Sequence, residues 1–298
     1  MILVVGATGL LGGRVVRLLV EGGDRVRCLV RDRSKVAASW ATETELVVGD
    51  LTDPASLRRA CEGVDTVVAT ATAIGRRLAG EKGPTIHEVD ELGMGSLVDA
   101  AETAGATRFV YLSYAGLQPS LGTPFERAKL AIEQRLRHSR MRTVIVRPDP
   151  FQDVHLTPLA RFDIAKRKVA VFGSGTTPQR WVSVHDVARL VVAVATEHEP
   201  PGIVEFGGPE ALSKIDAINI AERVTGTRIK VRRMPLWAMR GGMRLLARRN
   251  DALASLFGLG VLQDRTLARW DDGPLTERGI EPLSATEFVE TQARALAD

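Results

Sequence analysis

Seven consecutive residues near the start of the chain, Gly6-Ala7-Thr8-Gly9-Leu10-Leu11-Gly12, carry glycine at the first, fourth and seventh places. Glycines so spaced permit a tight turn, leave the backbone free of Cβ atoms where a pyrophosphate must approach, and let a helix pack closely on the preceding strand. The segment follows the apolar run Ile2-Leu3-Val4-Val5 and precedes a helical stripe, so the free N–H groups and positive dipole end of that helix face the same anion. Gly6, Thr8, Gly9, Leu10, Leu11 and Gly12 are therefore candidates to hold the diphosphate of a dinucleotide. The alternative is a glycine-rich turn with no ligand.

About 20 residues beyond such a turn, dinucleotide sites place an acid on the adenosine ribose or an arginine on a 2′-phosphate. Here Arg31 stands at that position, followed by Asp32, Arg33, Ser34 and Lys35. Arg31, with Arg33 and Lys35 in support, points to NADP(H) in preference to NAD(H). Asp32 leaves NAD(H) open, and a solvated charged loop is the plain alternative. A second group with chemical potential is Asp149-Pro150-Phe151-Gln152-Asp153-Val154-His155. Its two carboxyls and imidazole suggest proton transfer to a substrate, with Asp149 in contact and Phe151 as an apolar wall. Helix capping accounts for the same carboxylates equally well.

Such residues need a scaffold that carries them to one edge. Residues 1–150 alternate β-branched runs with helical stripes, the pattern of βαβ units and of a parallel sheet covered on both faces. Strands are expected at 2–5, 25–30, 45–48, 66–69, 108–112 and 143–146. Helices are expected where Leu11, Val15, Leu18 and Leu19 share a face, after the Asp53-Pro54 cap, and over 89–104 and 124–139. Prolines at 148, 150 and 158 then loosen the rhythm, after which strands at 169–172 and 204–206 flank a helix over 185–196. The expected fold class is α/β: a Rossmann-type doubly wound parallel sheet in residues 1–150, and a small C-terminal substrate lobe in residues 151–298 that is partly interleaved with the sheet.

Five landmarks occur in order: the glycine turn, Leu29-Val30-Arg31-Asp32, Gly49-Asp50-Leu51, Arg108-Phe109-Val110-Tyr111-Leu112-Ser113, and Arg147-Pro148. Together they resemble the atypical short-chain dehydrogenase/reductases, the NmrA-like group above all. The resemblance implies that Asp50 and Leu51 bracket an adenine and that Ala69, Thr70 and Ala71 line pyrophosphate and ribose. It also implies that Ser113, Tyr114 and Pro148 lie on the nicotinamide side. Read without it, Asp50 is a loop cap and Tyr114 a half-buried aromatic.

Short-chain dehydrogenases usually carry YxxxK on the helix before the sixth strand. The corresponding residues are Phe125-Glu126-Arg127-Ala128-Lys129, so the lysine is kept and the phenol that would protonate an alkoxide is not. FxxxK followed by Ile132 and Glu133 is similar to the isoflavone-reductase branch, whose lysine here is implicated in catalysis. That resemblance implies a catalytic and ribose-orienting Lys129, with Tyr114 as a further proton source. An unrelated lysine would instead sit at the surface and pair with Glu126 or Glu133.

Composition narrows the remainder. A chain of 298 residues, 45% hydrophobic and 26% charged, has room for a sizeable core and is not disordered. Cys28 and Cys61 make no disulfide framework, and the five histidines show no paired ligand spacing, so no metal is expected. No export-type leader and no apolar run near the ~18 residues of a membrane span are visible, which points to the cytoplasm. The net charge of +4 traces to Arg232, Arg233, Arg240, Arg244, Arg248 and Arg249, interleaved with Leu236, Trp237, Met239, Met243, Leu245 and Leu246 and with no acid. A basic amphipathic helix over 236–249 is expected, as a lid over a substrate pocket or as a surface for a membrane or partner. No nucleic-acid partner is expected, and the chain is expected to be a monomer or homodimer. The expected activity is NADPH-dependent reduction of a small, largely apolar quinone, enone or carbonyl compound. The alternatives are a non-catalytic NADP(H) sensor and a membrane-associated accessory subunit.

Overall fold

The computed structural model describes residues 1–36 and 38–296. Its strands are β1 (Ile2–Val5), β2 (Val26–Val30), β3 (Glu45–Val48), β4 (Thr66–Ala69), β5 (Arg108–Leu112), β6 (Arg142–Pro148), β7 (Phe162–Asp163), β8 (Lys168–Phe172), β9 (Ile203–Phe206) and β10 (Lys230–Met234). Seven form one sheet in the order β3-β2-β1-β4-β5-β6-β9. The pairs from β3 to β6 are parallel, with Val4 opposite Cys28 on one side and Val68 on the other. The apolar runs of β1 and β4 are buried along their whole length, as strands covered on both faces must be. This is the α/β, Rossmann-type doubly wound sheet that the βαβ rhythm predicts. The order reverses beside β1, and in such sheets the ligand crevice opens at the carboxyl ends of the strands flanking that reversal.

Two compact units divide the chain. The first comprises Met1–Ser113, Leu117–Val146 and Val187–Val204, and the second Tyr114–Gly116, Arg147–Asp186 and Glu205–Asp298. The second holds a three-stranded sheet, β10-β8-β7, over a core that includes Phe162, Val169, Val171, Trp181, Ile218, Ala221 and Val289. Among the described residues no helix is long and apolar enough to cross a membrane.

Several boundaries move. The helix expected over 89–104 begins two residues earlier, as a π-helical turn His87–Gly93 that continues as the α-helix Met94–Thr103. Gly93 lies against the Leu51 carbonyl, where a Cβ would stand 2.7 Å from the oxygen. The arginine-rich segment does not form one helix over 236–249. Arg232 and Arg233 belong to β10, whose parallel pairing with β8 no local pattern announced, and the helix Leu236–Leu246 ends before Arg248 and Arg249. The stop has a local cause, because Asn250 caps the next helix, Asp251–Arg265, by accepting from Leu253 N at 3.0 Å.

Candidate functional site

The three glycines of the turn have different reasons to be glycine. Gly6 adopts φ +99°, a backbone region costly for residues with a Cβ. A Cβ there would also come within 2.7 Å of Ala71 N and Thr70 Oγ1. On Gly12, the third residue of the helix Leu10–Glu21, a Cβ would lie 2.1 Å from Gly6 O and 2.9 Å from Thr70 Oγ1. These two glycines are demanded by the protein's own packing. Gly9 is not: it is exposed, its N–H donates to Gly6 O at 2.9 Å, and its Cβ would meet only that oxygen, at 3.2 Å. No side chain caps the helix that starts beside it, and its first turn has no acid. Free N–H groups, an open backbone and a dipole end therefore converge on one exposed point, which fits a dinucleotide diphosphate. Thr8 and Leu10 are exposed there and Leu11 is buried beneath. Thr70 joins the end of β4 to that of β1, donating from N and from Oγ1 to Val5 O at 2.9 and 3.2 Å. Ala69 is buried and Ala71 half-buried beside it.

At the end of β2, Arg31 is exposed and makes no ion pair among the described residues. Asp32 is engaged locally: Oδ1 accepts from Ser34 N and Ser34 Oγ at 2.9 and 2.7 Å, capping the short turn Arg33–Lys35 and holding its carboxyl below the usual range. Arg33 donates to Leu46 O at 3.1 Å, and Lys35 is exposed. After β3, Asp50 accepts from Thr52 N and Thr52 Oγ1 at 2.8 and 2.6 Å, a loop cap, while Leu51 is buried against Gly93.

Lys129 is not a surface lysine. Only 4% exposed, it donates from Nζ to the carbonyl of Leu112, the last residue of β5, at 2.7 Å. The ammonium lies 4.6 Å from the Tyr111 ring centroid and 5.2 Å from that of Phe125. Phe125 thus offers a π face to the ammonium. Glu126 does not pair with this lysine; its carboxylate collects the N–H groups of Ser120, Leu121 and Gly122 at 3.0–3.2 Å. Burial drives the Lys129 pKa down to about 8, against the opposing pull of Asp90 and Glu133.

Asp90 is the residue the sequence reading missed. It is 1% exposed, Oδ2 accepts from Ala73 N at 2.9 Å, and Oδ1 is buried without a hydrogen-bond partner. Burial raises its carboxyl pKa, and the Lys129 charge draws it back. One signal was available, since an acid beside Val89, Gly93 and Leu97 falls on the buried stripe of a helix. Ser113, next along from Leu112, donates from N to Val146 O at 2.8 Å, and its buried Oγ has no partner.

In the second unit, Tyr114 is half-buried and Ala115 N donates to Pro148 O at 2.9 Å. Asp149 is buried, with Oδ2 accepting from Arg180 N at 2.7 Å; desolvation pushes its pKa up to about 7, against the lowering influence of that N–H and of the Trp270 indole. The Asp149, Asp153 and His155 group is spread along one partner segment. Asp153 accepts from Val184 N at 2.8 Å, and His155 lies 5.8 Å from Trp181 between ring centroids, kept neutral by burial that lowers its pKa to about 3. Phe151 is half-buried and bridges Val182.

Sheet order and glycine turn together define a dinucleotide-binding α/β protein. The chain belongs to the NAD(P)H-binding family, whose model matches residues 6–198. Photosystem II assembly factor Ycf39 of Cyanophora paradoxa is 28% identical over 236 residues, 79% of this chain and 72% of that protein. NAD(P)H azoreductase of Xenophilus azovorans is 31% identical over 220 residues, 72% of this chain and 70% of that one. Among solved structures, the NADPH complex of the NADPH-dependent quinone oxidoreductase from Escherichia coli superposes with a TM-score of 0.74 at 17% identity, covering 98% of this chain and 99% of that chain. At that identity the likeness speaks for the fold alone.

Proposed function

We propose that this chain is an NADPH-dependent oxidoreductase that reduces a small, largely apolar acceptor, a quinone before an enone or carbonyl compound. In this reading residues 1–150 serve the dinucleotide and residues 151–298, with Tyr114 and Asp149, the acceptor. Gly6, Thr8, Gly9, Leu10, Leu11 and Gly12 hold the diphosphate with Ala69, Thr70 and Ala71. Arg31, Arg33 and Lys35 meet the 2′-phosphate, and Asp50 and Leu51 the adenine. Ser113, Lys129 and Pro148 border the nicotinamide, and Tyr114, Asp149 and Phe151 the acceptor. The bound dinucleotide supplies a hydride.

The observation that carries the redox reading is the buried Lys129 ammonium. Buried on the Leu112 carbonyl with its pKa lowered to about 8, this ammonium is placed to exchange a proton near neutral pH, which supports a chemical role at the same site. Lys129 orients the nicotinamide ribose or gives up a proton near neutral pH. A quinone suits a site without the tyrosine, because its reduced anion collects protons from water. The azoreductase relative agrees with this class of chemistry. Phe125 in the phenol's place, with the assembly-factor relative, favours a second reading in which the bound dinucleotide regulates a partner.

Stopped-flow mixing of the protein–NADPH complex with a panel of quinones and enones separates the two. Accelerated NADPH oxidation that slows at least about tenfold in Lys129→Met is expected; no acceleration with any acceptor refutes the redox reading. Parallel titrations test the cofactor preference: Arg31→Glu is expected to weaken NADPH at least about tenfold, ~1.4 kcal/mol, and to leave NADH unchanged. Equal loss for both removes the 2′-phosphate role.

A further inference from the structure

None of the residues assigned above to the dinucleotide lies in the arginine-rich segment, and its structure suits a different ligand. Residues 230–250 contain seven cations, Lys230, Arg232, Arg233, Arg240, Arg244, Arg248 and Arg249, and no acid. All seven are exposed. Arg233 donates to Ser174 O at 2.6 Å, and none of the seven makes an ion pair among the described residues.

The helix Leu236–Leu246 has its inner face set by close packing. A Cβ on Gly242 would come within 2.6 Å of the Phe257 ring, and one on Gly260 within 3.1 Å of Met239 Cε, so Met239 and Gly242 face the helix Asp251–Arg265. Met239 and Met243 are buried accordingly. The opposite arc carries Trp237, Arg240, Gly241, Arg244 and Leu245, which the helical repeat places together. Trp237 is 78% and Leu245 79% exposed, the two most exposed large apolar side chains of the described chain. A tryptophan and a leucine held out into solvent beside uncompensated guanidinium groups match the boundary of an anionic bilayer. There the phosphate groups take the arginines and the rings enter the acyl edge.

We propose that this face docks the protein on the surface of an anionic lipid bilayer, with the helix Leu236–Leu246 lying in the interface. Charge and apolar contact act together: the cations draw the protein to the surface, and Trp237 with Leu245 hold it there. The proposal stands whether or not the chain transfers hydride.

The test is cosedimentation of the full chain with phosphatidylcholine vesicles, with and without phosphatidylglycerol, at low ionic strength. Binding is expected only with the anionic lipid, and is lost near 0.5 M salt, where screening acts over only ~4 Å. Reversing Arg240, Arg244, Arg248 and Arg249 to Glu is expected to lower the partition coefficient at least about tenfold, and Trp237→Ser with Leu245→Ser several-fold. All six side chains are exposed, so an unchanged melting temperature and unchanged NADPH affinity report an intact fold. No sedimentation with anionic vesicles overturns the proposal. So does charge-dependent binding that the Trp237 and Leu245 substitutions leave untouched, since that describes a general polyanion surface such as a nucleic acid or acidic protein would meet.

Discussion

Substituting alanine at Gly12 and, separately, at Gly13 puts the same methyl group on neighbouring residues of one helix and asks whether packing against the turn decides stability. At Gly12 the new Cβ would sit 2.1 Å from Gly6 O and 2.7 Å from Gly6 C, so backbone must move by about an ångström. Overpacking of this kind costs about 1–3 kcal/mol, and the upper end applies because the obstruction is backbone rather than a flexible side chain. Helix propensity returns ~1 kcal/mol, leaving a net loss of ~2 kcal/mol. At Gly13 the nearest atom, Ala7 O, would be 3.3 Å away. A few tenths of relaxation absorbs that contact, and the propensity gain makes the change neutral to ~1 kcal/mol stabilising. Thermal unfolding is the assay. Gly12→Ala should melt roughly 4–6 °C lower and Gly13→Ala at or above the parent temperature. NADPH titration by fluorescence adds a functional reading, since displacing the turn moves the free N–H groups of the helix's first turn; about a tenfold loss is expected for Gly12→Ala only. Equal melting temperatures for the two variants, or a drop at Gly13 matching that at Gly12, would refute the reasoning.

Further outcomes concern buried titratable groups. The Asp149 carboxyl, raised to about 7, binds its proton more tightly in the folded than in the unfolded chain, so it lowers stability as pH rises from about 4 to 7. Asp149→Asn keeps an oxygen for Arg180 N and should gain on the parent by up to ~4 kcal/mol across that window in urea titrations; a constant difference rejects the assignment. Removing the Asp90 charge takes away one of the influences that raise the Lys129 pKa, so in Asp90→Asn the alkaline limb of any NADPH-dependent reduction should begin below about pH 8. An unmoved limb would separate Asp90 from the lysine. Burial pushes the Cys28 and Cys61 thiols up to about 12 and 11, so native protein should resist a thiol reagent at pH 8 and denatured protein expose both. Rapid labelling of the native chain would contradict their burial.

The nature of the local sequence explains which parts of this protein could be read in advance. Strands β1 to β6 and the four longer helices between them were legible because each is specified by its own residues: β-branched runs for buried strands, a stripe for each covering helix, Asp53-Pro54 and Gly22 for ends; the short helices Ala38–Ala41 and Ile74–Leu78 carry no such signal. The glycine turn was legible for the same reason, since its constraint lies within seven neighbouring residues. Strand β10 was not, because Lys230–Met234 becomes a strand by pairing with β8, more than fifty residues earlier, and nothing local separates its arginines from those of the following helix. Asp32 and Asp50 show the same limit: residue type left a ligand and a loop cap both open for Asp50, and only the structure shows Asp32 accepting from Ser34 and Asp50 from Thr52.

Residue type and short spacing settle the covering of the sheet, the place of the glycine turn and the phenylalanine at position 125. Tertiary structure alone decided that Lys129 is buried on the Leu112 carbonyl, and that Asp90, 39 residues away along the chain, bears on its charge. Desolvation is a property of everything that surrounds a group. A lysine four residues after a phenylalanine carries the same letters at a surface or in a core, and only the fold fills the space around it.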